Sequence, residues 1–199
     1  MADVTAELAK YTPYVFLIAI AVFVLYIWKN REKLKSVNAI AIAGVTAALV
    51  AVATNVVKIP TPPTGGYINF GDTMVMFTAM LFGPVIGAFA GGVGSALGDV
   101  IGGYPGWAPV TLVVKGIEGL VVGYIAKKVD GTVGLIVGGI IGGLLMVLGY
   151  FLFEAYAFGV PAALTEVPGN LLQAVTGVLV GAPLTDAIRK RYPEVETLI

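Results

Sequence analysis

Long apolar runs separated by short polar loops dominate this chain. They predict seven candidate membrane segments, at about residues 12–28, 37–57, 71–82, 84–101, 109–126, 132–156 and 169–188. A helix that spans a bilayer needs about 20 apolar residues, so the segment 71–82 is short. Phe82-Gly83-Pro84 separates it from the next segment, because proline cannot donate a helix hydrogen bond and restricts the residue before it. We therefore expect a membrane bundle of helices in which 71–82 and 84–101 form a tight hairpin.

Basic residues follow the ends of three of these segments. The clusters are Lys29, Arg31, Lys33 and Lys35; Lys127 and Lys128; and Arg189, Lys190 and Arg191. With seven spans all three clusters lie on one side, which the positive-inside rule assigns to the cytoplasm. The sequence thus predicts a multi-pass protein of the cell membrane with its N-terminus outside and its C-terminus in the cytoplasm.

The same topology places nearly all polar residues of the spans that lack an obvious partner in the outer half of the membrane or above it. Asp99 and Glu154 are expected near the outer ends of their helices, Glu166 in the last outer loop, and Asn170 and Gln173 in the first turns of the last helix. A pore needs polar lining through its whole depth, whereas a pocket open to the outside needs only a one-sided distribution. The distribution favours a pocket.

Composition limits the chemistry. The chain is 58% hydrophobic and 12% charged, with a mean hydropathy of +0.93, whereas soluble domains carry about 25% charged residues. It contains no Cys and no His and has a net charge of zero, which excludes thiolate and imidazole metal sites and gives no reason to expect nucleic acid. We expect no enzymatic activity, no metal and no intrinsic cofactor. No GxxxxGK[ST] motif is present, so transport would draw on a gradient or on a partner subunit.

Lys115 and Glu118 lie three residues apart within an apolar run and share a helix face. Ionisable residues within a span are costly and are usually paired or functional. Two interpretations stay open here: a structural ion pair that locks two helices, and contact with a polar ligand.

The roles of the polar and aromatic side chains in two expected outer loops, around residues 67–72 and 102–109, also stay open. Asp72 either caps a helix or binds a ligand, and Tyr67, Tyr104 and Trp107 either belong to an interfacial belt or stack on a flat heterocycle. Asn170 offers a neutral donor and acceptor. The candidate ligand-binding residues are Tyr67, Asn69, Asp72, Tyr104, Trp107, Lys115, Glu118, Glu154 and Asn170.

Small residues recur every four positions, as in Gly87/Gly91 and Gly119/Gly123. This spacing lets helix backbones approach closely in lipid, so internal packing is expected for the glycines. The row Ala39, Ala43, Ala47 and Ala51 either packs inside the bundle or offers a surface to a partner protein.

The run from Tyr67 to Lys128 resembles the substrate-binding S components of energy-coupling factor (ECF) transporters. It is most similar to the subgroup for riboflavin, hydroxymethylpyrimidine and pyridoxine, and the resemblance covers roughly Val37 to Arg191. The stretches that carry it are INFGDT, LFGP, GSALGD and GGYPGWAP.

This resemblance implies an all-α membrane protein with a six-helix S-component bundle over residues 36–199. The chain departs from the family's pattern in an extra N-terminal transmembrane helix and basic linker over 1–35. The resemblance also implies that a small planar vitamin or precursor is captured at the outer face. Delivery would need a transmembrane coupling subunit and two ATPase subunits, so ATP would enter only through those partners. Ala43 and Ala47 match the family's surface for the coupling subunit.

Two other functions remain open from the residues alone. One is a stand-alone secondary transporter or channel that uses Lys115 and Glu118 as an ion or proton relay. The other is a scaffold subunit whose glycine and alanine rows form its working surface.

Overall fold

Eight α-helices and one short β-hairpin make up the structure, a computed structural model. It describes the backbone of residues 2–198 and their side chains, except those of 2–9, 33, 196 and 197. The elements are α1 (Ala2–Lys29), α2 (Val37–Val56), β1 (Lys58–Thr61), β2 (Gly66–Asn69), α3 (Gly71–Phe82), α4 (Pro84–Phe89), α5 (Ser95–Ile101), α6 (Ala108–Lys128), α7 (Gly131–Ala157) and α8 (Val160–Arg191). Short 3-10 turns cover Arg31–Leu34 and Pro193–Thr197.

Within the described residues, six segments are long and apolar enough to cross a membrane, and Gly71–Phe82 is a shorter apolar helix. At about 1.5 Å per residue the 12 residues of α3 extend about 18 Å, short of a hydrocarbon core of about 30 Å. The predicted all-α membrane fold, a helical bundle with an additional N-terminal helix, is confirmed.

Local sequence signals set several helix ends. The Ser36 hydroxyl accepts a hydrogen bond from Ala39 N at 3.1 Å and caps α2. Gly83, at φ +86°, ends α3, and Pro84 begins α4 in its first turn, where its missing N–H costs nothing. The predicted break at Phe82-Gly83-Pro84 is therefore present.

A π-helical turn over Ala90–Gly94 joins α4 to α5, so that Pro84–Ile101 forms one span. Gly91 and Gly92 of this turn lie against the backbone of α6, because a Cβ built at Gly91 would come within 2.6 Å of Lys115 O and one at Gly92 within 2.7 Å of Leu112 O. Only glycine permits so close an approach here.

Two sequence expectations need correction. The loop after α2 contains an antiparallel β-hairpin, with Lys58 paired to Asn69 and Thr61 to Gly66. The last helix begins at Val160 rather than near residue 169, so Glu166 lies in a helix and not in a loop. Pro168 does not end this helix because one proline removes a single hydrogen bond and the rest of α8 stays packed.

The glycine spacings serve internal packing, as expected. A Cβ on Gly119 would overlap the backbone of Gly87 and lie 3.2 Å from Ala88 N, and one on Gly123 would lie 2.6 Å from Pro84 N. Residues of α3, α6, α7 and α8 form an apolar cluster beside these contacts: Met76, Ala79, Met80, Val122, Ala126, Leu135 and Ala182.

The alanine row of α2 also faces inward. Ala43 is 4% exposed and packs in a cluster with Ile86 and Phe89, while Ala47 is 5% exposed and packs with Val75. In this arrangement the two side chains contact α3 and the α4–α5 span, where small side chains let α2 lie close to its neighbours. Their contact with a coupling subunit stays a prediction.

The bundle has two chemically different ends. At the basic end, Arg189 donates to Met80 O at 2.7 Å, and a cavity is lined by residues of the α1–α2 linker, the α3–α4 turn and the end of α6, among them Ser36, Phe82 and Lys127. At the hairpin end lie β1–β2 and the starts of α3, α6 and α8. The side of the membrane that each end faces stays a prediction.

Helix α1 lies outside the main bundle against α6 and α7. The ring of Phe16 meets that of Phe153 edge-on with centroids 6.2 Å apart, and Phe23 covers Gly116, where a Cβ would come within 2.7 Å of its ring. Most other apolar residues of this helix are exposed, as expected for a lipid-facing element.

Candidate functional site

A polar cavity opens at the hairpin end, between the hairpin and the adjoining ends of α5, α6, α7 and α8. The cavity volume is about 30 Å³, room for about two water molecules, so opposite walls lie close together. Its lining residues are Thr64, Gly66, Tyr67, Asn69, Asp99, Trp107, Thr111, Tyr150, Glu154, Glu166, Asn170 and Gln173.

Tyr67 joins the hairpin to α5. Its hydroxyl donates to Asp99 Oδ1 at 2.6 Å, and its ring packs on that of Tyr104 with centroids 4.3 Å apart. Lys58 Nζ lies 5.5 Å from the centre of the Tyr67 ring and donates to Gly102 O. Burial first, and then the hydrogen bond to Asp99, raise the pKa of Tyr67 above its ordinary value, so the hydroxyl remains a donor.

Amide side chains tie the hairpin to α8. Gln173 Oε1 accepts from Asn69 N at 3.1 Å, and Gln173 Nε2 donates to Asn170 Oδ1 at 2.9 Å. Asn69 Oδ1 in turn accepts from Gly71 N at 2.8 Å at the start of α3. Asn69, rather than Asp72, thus supplies the local side-chain hydrogen bond at this helix start.

Three carboxylates line the same cavity. Glu166 Oε1 accepts from the Thr64 hydroxyl at 2.8 Å. Glu154 and Asp99 are each 3% exposed, and Glu154 Oε2 and Asp99 Oδ2 have no hydrogen-bond partner among the described residues. Buried acceptors of this kind are available to a donor brought in by a ligand.

Aromatic rings close one side of the cavity. Trp107 stacks on Phe158 with centroids 5.9 Å apart and meets Phe153 edge-on at 5.6 Å. Its indole N–H donates to Gly65 O at 3.3 Å, so this residue also holds the hairpin turn. The Tyr150 hydroxyl, donating to Thr111 Oγ1 at 3.1 Å, completes the wall.

A buried ionic cluster lies behind this wall. Lys115 Nζ donates to Asp72 Oδ1 and lies 3.6 Å from Glu118 Oε2. Asp72 and Glu118 are fully buried, and Lys115 Nζ is 5.5 Å from the centre of the Tyr150 ring. The cluster joins α3 to α6, and Tyr150 separates it from the cavity.

The structure places five of the nine candidate residues in the cavity wall and the other four outside it. Tyr67, Asn69, Trp107, Glu154 and Asn170 line the cavity. Tyr104 supports Tyr67 from outside, and the charged residues Asp72, Lys115 and Glu118 form the cluster behind Tyr150.

Several wall residues were not among the candidates. Asp99 and Glu166 are carboxylates near helix ends, and this position within apolar sequence was a usable signal for both. Tyr150 and Thr111 carried no such signal, because an aromatic or a threonine within a span is ordinary. No group of His, Cys, Asp and Glu that could hold a metal ion occurs in the described part of the chain.

A family model and several known proteins match this chain. Residues 34–190 match the model of the family described as ECF-type riboflavin transporter, S component. An uncharacterized protein in gap 3'region of Pyrococcus woesei is 47% identical over 142 residues, covering 71% of this chain and 95% of that protein. A UPF0397 protein of Streptococcus agalactiae serotype Ia is 37% identical over 100 residues, covering 50% of this chain and 52% of the relative. A UPF0397 protein of Streptococcus pneumoniae is 30% identical over 132 residues, covering 66% and 70%.

The matched region begins after α1 and contains α2 to α7 and nearly all of α8, including every residue of the cavity wall. Because the match covers well over half of a chain whose described part has six apolar spans, the protein is a multi-pass membrane protein that belongs to this family of ECF transporter S components, the substrate-binding membrane subunits of such transporters.

Proposed function

We propose that this protein captures a small planar vitamin or vitamin precursor, of the riboflavin, pyridoxine or pyrimidine type, in the cavity at the hairpin end. The observation that carries this proposal is the convergence of buried amides, carboxylates and aromatic rings on one cavity, at the end of the bundle opposite the three basic clusters. Ligand sites are concave, with a few placed polar groups among aromatic and apolar side chains.

The wall chemistry suits a flat heterocycle. Asn170 and Asn69 provide amide groups that match ring nitrogens and hydroxyls. Trp107 and Tyr150 provide ring faces and edges on which a planar ligand packs. Both kinds of contact are directional, so together they select shape as well as size.

Entry of such a ligand requires the hairpin to move, because opposite walls lie close together. Opening breaks the hydrogen bonds that join the hairpin and its turn to the surrounding helices: Tyr67 to Asp99, Trp107 to Gly65, Thr64 to Glu166, Asn69 N to Gln173 and Lys58 to Gly102. The hairpin therefore acts as the lid of the site.

Delivery in this proposal uses a transmembrane coupling subunit and two ATPase subunits, with ATP bound only by those partners. The hairpin end faces outward and the basic end faces the cytoplasm, as the positive-inside rule favours. The division into an added helix and linker over 1–35 and a six-helix domain over 36–199 is supported by a family match that starts at residue 34. It is further supported by the position of α1 outside the main bundle.

Titration of the purified, lipid-reconstituted protein with riboflavin, pyridoxine, thiamin and hydroxymethylpyrimidine tests the proposal. We expect saturable binding of at least one compound, weakened about tenfold or more by Asn170→Ala, since a buried amide contact is lost. Asn38→Ala, at an exposed position in the first turn of α2, is the matched control and should bind normally. Binding of none of the compounds would contradict the proposal.

A stand-alone transporter or channel is the second candidate, and the buried ion cluster of Lys115, Asp72 and Glu118 is what favours it. The apolar cluster that includes Met80, Val122 and Leu135 continues from there toward the basic end. Gradient-dependent uptake by the protein alone in liposomes would support this candidate. Uptake that requires the coupling subunits would support the first.

A further inference from the structure

We propose that the ligand of this cavity is a cationic planar nitrogen heterocycle, one that carries a protonated amine or a charged ring; the inference rests on the proposed function and narrows its substrate class. It excludes neutral flavins and phosphate esters as the preferred ligands.

The carboxyl groups of the cavity wall have no basic counterpart in that wall. Asp99, Glu154 and Glu166 line it, and no Lys or Arg does so within the described part of the chain. A wall of this kind favours a cationic ligand over an anionic one, because a cation beside buried carboxyl groups stabilises their charged form.

Two of these carboxylates have unused hydrogen-bonding capacity. Glu154 Oε2 and Asp99 Oδ2 are buried and meet no donor from the rest of the described structure. A buried acceptor without a partner is costly, and an ammonium or ring N–H⁺ would satisfy it with a charge-assisted hydrogen bond.

Nearby lysines are engaged elsewhere. Lys115 is held by Asp72 and Glu118 behind Tyr150. Lys58 donates to Gly102 O at 3.1 Å and lies over the rings of Tyr67 and Tyr104. Both lysines lie near enough to interact with Asp99, but neither lines the cavity, so Glu154 is the carboxylate whose compensating charge is left to a ligand.

The aromatic wall suits the same ligand. Trp107 and Tyr150 both line the cavity beside Glu154. Tryptophan and tyrosine faces attract cations, most strongly where water is excluded. Aromatic packing and carboxylate contact are therefore available to one flat, positively charged molecule at once.

Matched ligand pairs test the charge directly. Pyridoxamine and pyridoxine differ in an aminomethyl cation against a hydroxymethyl group, as do the aminomethyl analogue of hydroxymethylpyrimidine and hydroxymethylpyrimidine itself. Thiamin, riboflavin and riboflavin phosphate extend the series to a permanent cation, a neutral ligand and an anion. By calorimetry on the reconstituted protein, we expect the cation of at least one pair to bind about tenfold to a hundredfold more tightly, as for hydrogen bonds to charged groups.

Variants locate the effect. In Glu154→Gln, the aminomethyl and hydroxymethyl compounds of that pair should bind with nearly equal affinity, so that the ratio of their dissociation constants is close to one. Glu166→Gln, which keeps an acceptor for Thr64, provides a second variant if the first does not fold. Asp186→Asn, paired only with Lys190 near the basic end, is the control and should leave the ratio unchanged.

Tighter binding of riboflavin, of riboflavin phosphate or of the hydroxymethyl compounds would overturn the charge preference and leave the proposed function intact. A ratio unaffected by both glutamine variants would also overturn it. If no compound in the series binds, the proposed function fails as well.

Discussion

Tyr67 Oη donates to Asp99 Oδ1 at 2.6 Å, and this hydrogen bond fastens the β-hairpin to the end of α5. The other oxygen of Asp99 has no partner in the described structure. The Tyr67 hydroxyl therefore helps to hold the hairpin closed and provides a hydrogen-bond donor for one of the two oxygens of the buried Asp99 carboxylate.

Tyr67→Phe should loosen the hairpin without changing its shape. Loss of a hydrogen bond to a charged group costs about 1.5–3 kcal/mol, so we expect a lower melting temperature and faster proteolysis between β1 and β2. Limited proteolysis with mass spectrometry measures this. Tyr156→Phe, at a residue that is 52% exposed on α7, is the control, and equal cleavage in both variants would show that the bond does not hold the lid.

Lys115→Met should reduce stability more than ligand affinity. It would leave Asp72 and Glu118 buried without their cation, at a cost of about 3–5 kcal/mol. Addition of Asp72→Asn should restore part of the loss, because one buried charge is then removed. Thermal unfolding and ligand titration of both variants separate the two effects. An unchanged melting temperature with lost binding would place Lys115 in contact with ligand.

Ala43→Trp should prevent normal folding, because the residue packs against Ile86 and no space exists for an indole. Overpacking by smaller groups already costs about 1–3 kcal/mol. Ala48→Trp, at an exposed position of the same helix, should fold and bind ligand. The yield of monodisperse protein measures the difference. Normal folding of Ala43→Trp with loss of partner-driven uptake would instead support contact of Ala43 with the coupling subunit.

Gly119→Ala should separate α6 from α4, because the added methyl overlaps the backbone of Gly87. We expect a loss of about 1–3 kcal/mol in the free energy of unfolding. Gly44→Ala is the matched control: a Cβ there meets nothing within 4 Å, so its helix propensity should make it neutral or slightly stabilising. Equal melting temperatures for the two variants would contradict the close packing of α4 and α6.

Features that depend on local pattern were predictable from the sequence. The apolar spans follow from hydropathy, and the break at Gly83-Pro84 follows from backbone chemistry. The β-hairpin was not predictable, because proline occupies position 60 of β1 and the strands contain only four residues each.

Contacts between distant residues explain the remaining differences. Helix spacing identified Glu118 as a neighbour of Lys115, but Asp72, 43 residues away, is the shorter contact. Ala43 and Ala47 carried no sign of the direction they face, since a row of alanines suits either an interior contact or a partner surface. Glu166 was assigned to a loop because the last apolar segment was placed at residues 169–188, yet α8 begins at Val160 and continues past Pro168.

The π-helical turn at Ala90–Gly94 sets the direction in which the side chains of the following helix α5 point around the helix axis. Such a turn accommodates one residue more than an α-helical turn, and each residue rotates a helix by about 100°. Deletion of one residue from this turn would rotate Asp99 out of the cavity wall. The Tyr67 hydroxyl would then lose its hydrogen-bond acceptor. The extra residue of this buried turn therefore fixes the rotation of α5 about its axis. Through that rotation it determines which side chains of α5 face an incoming ligand.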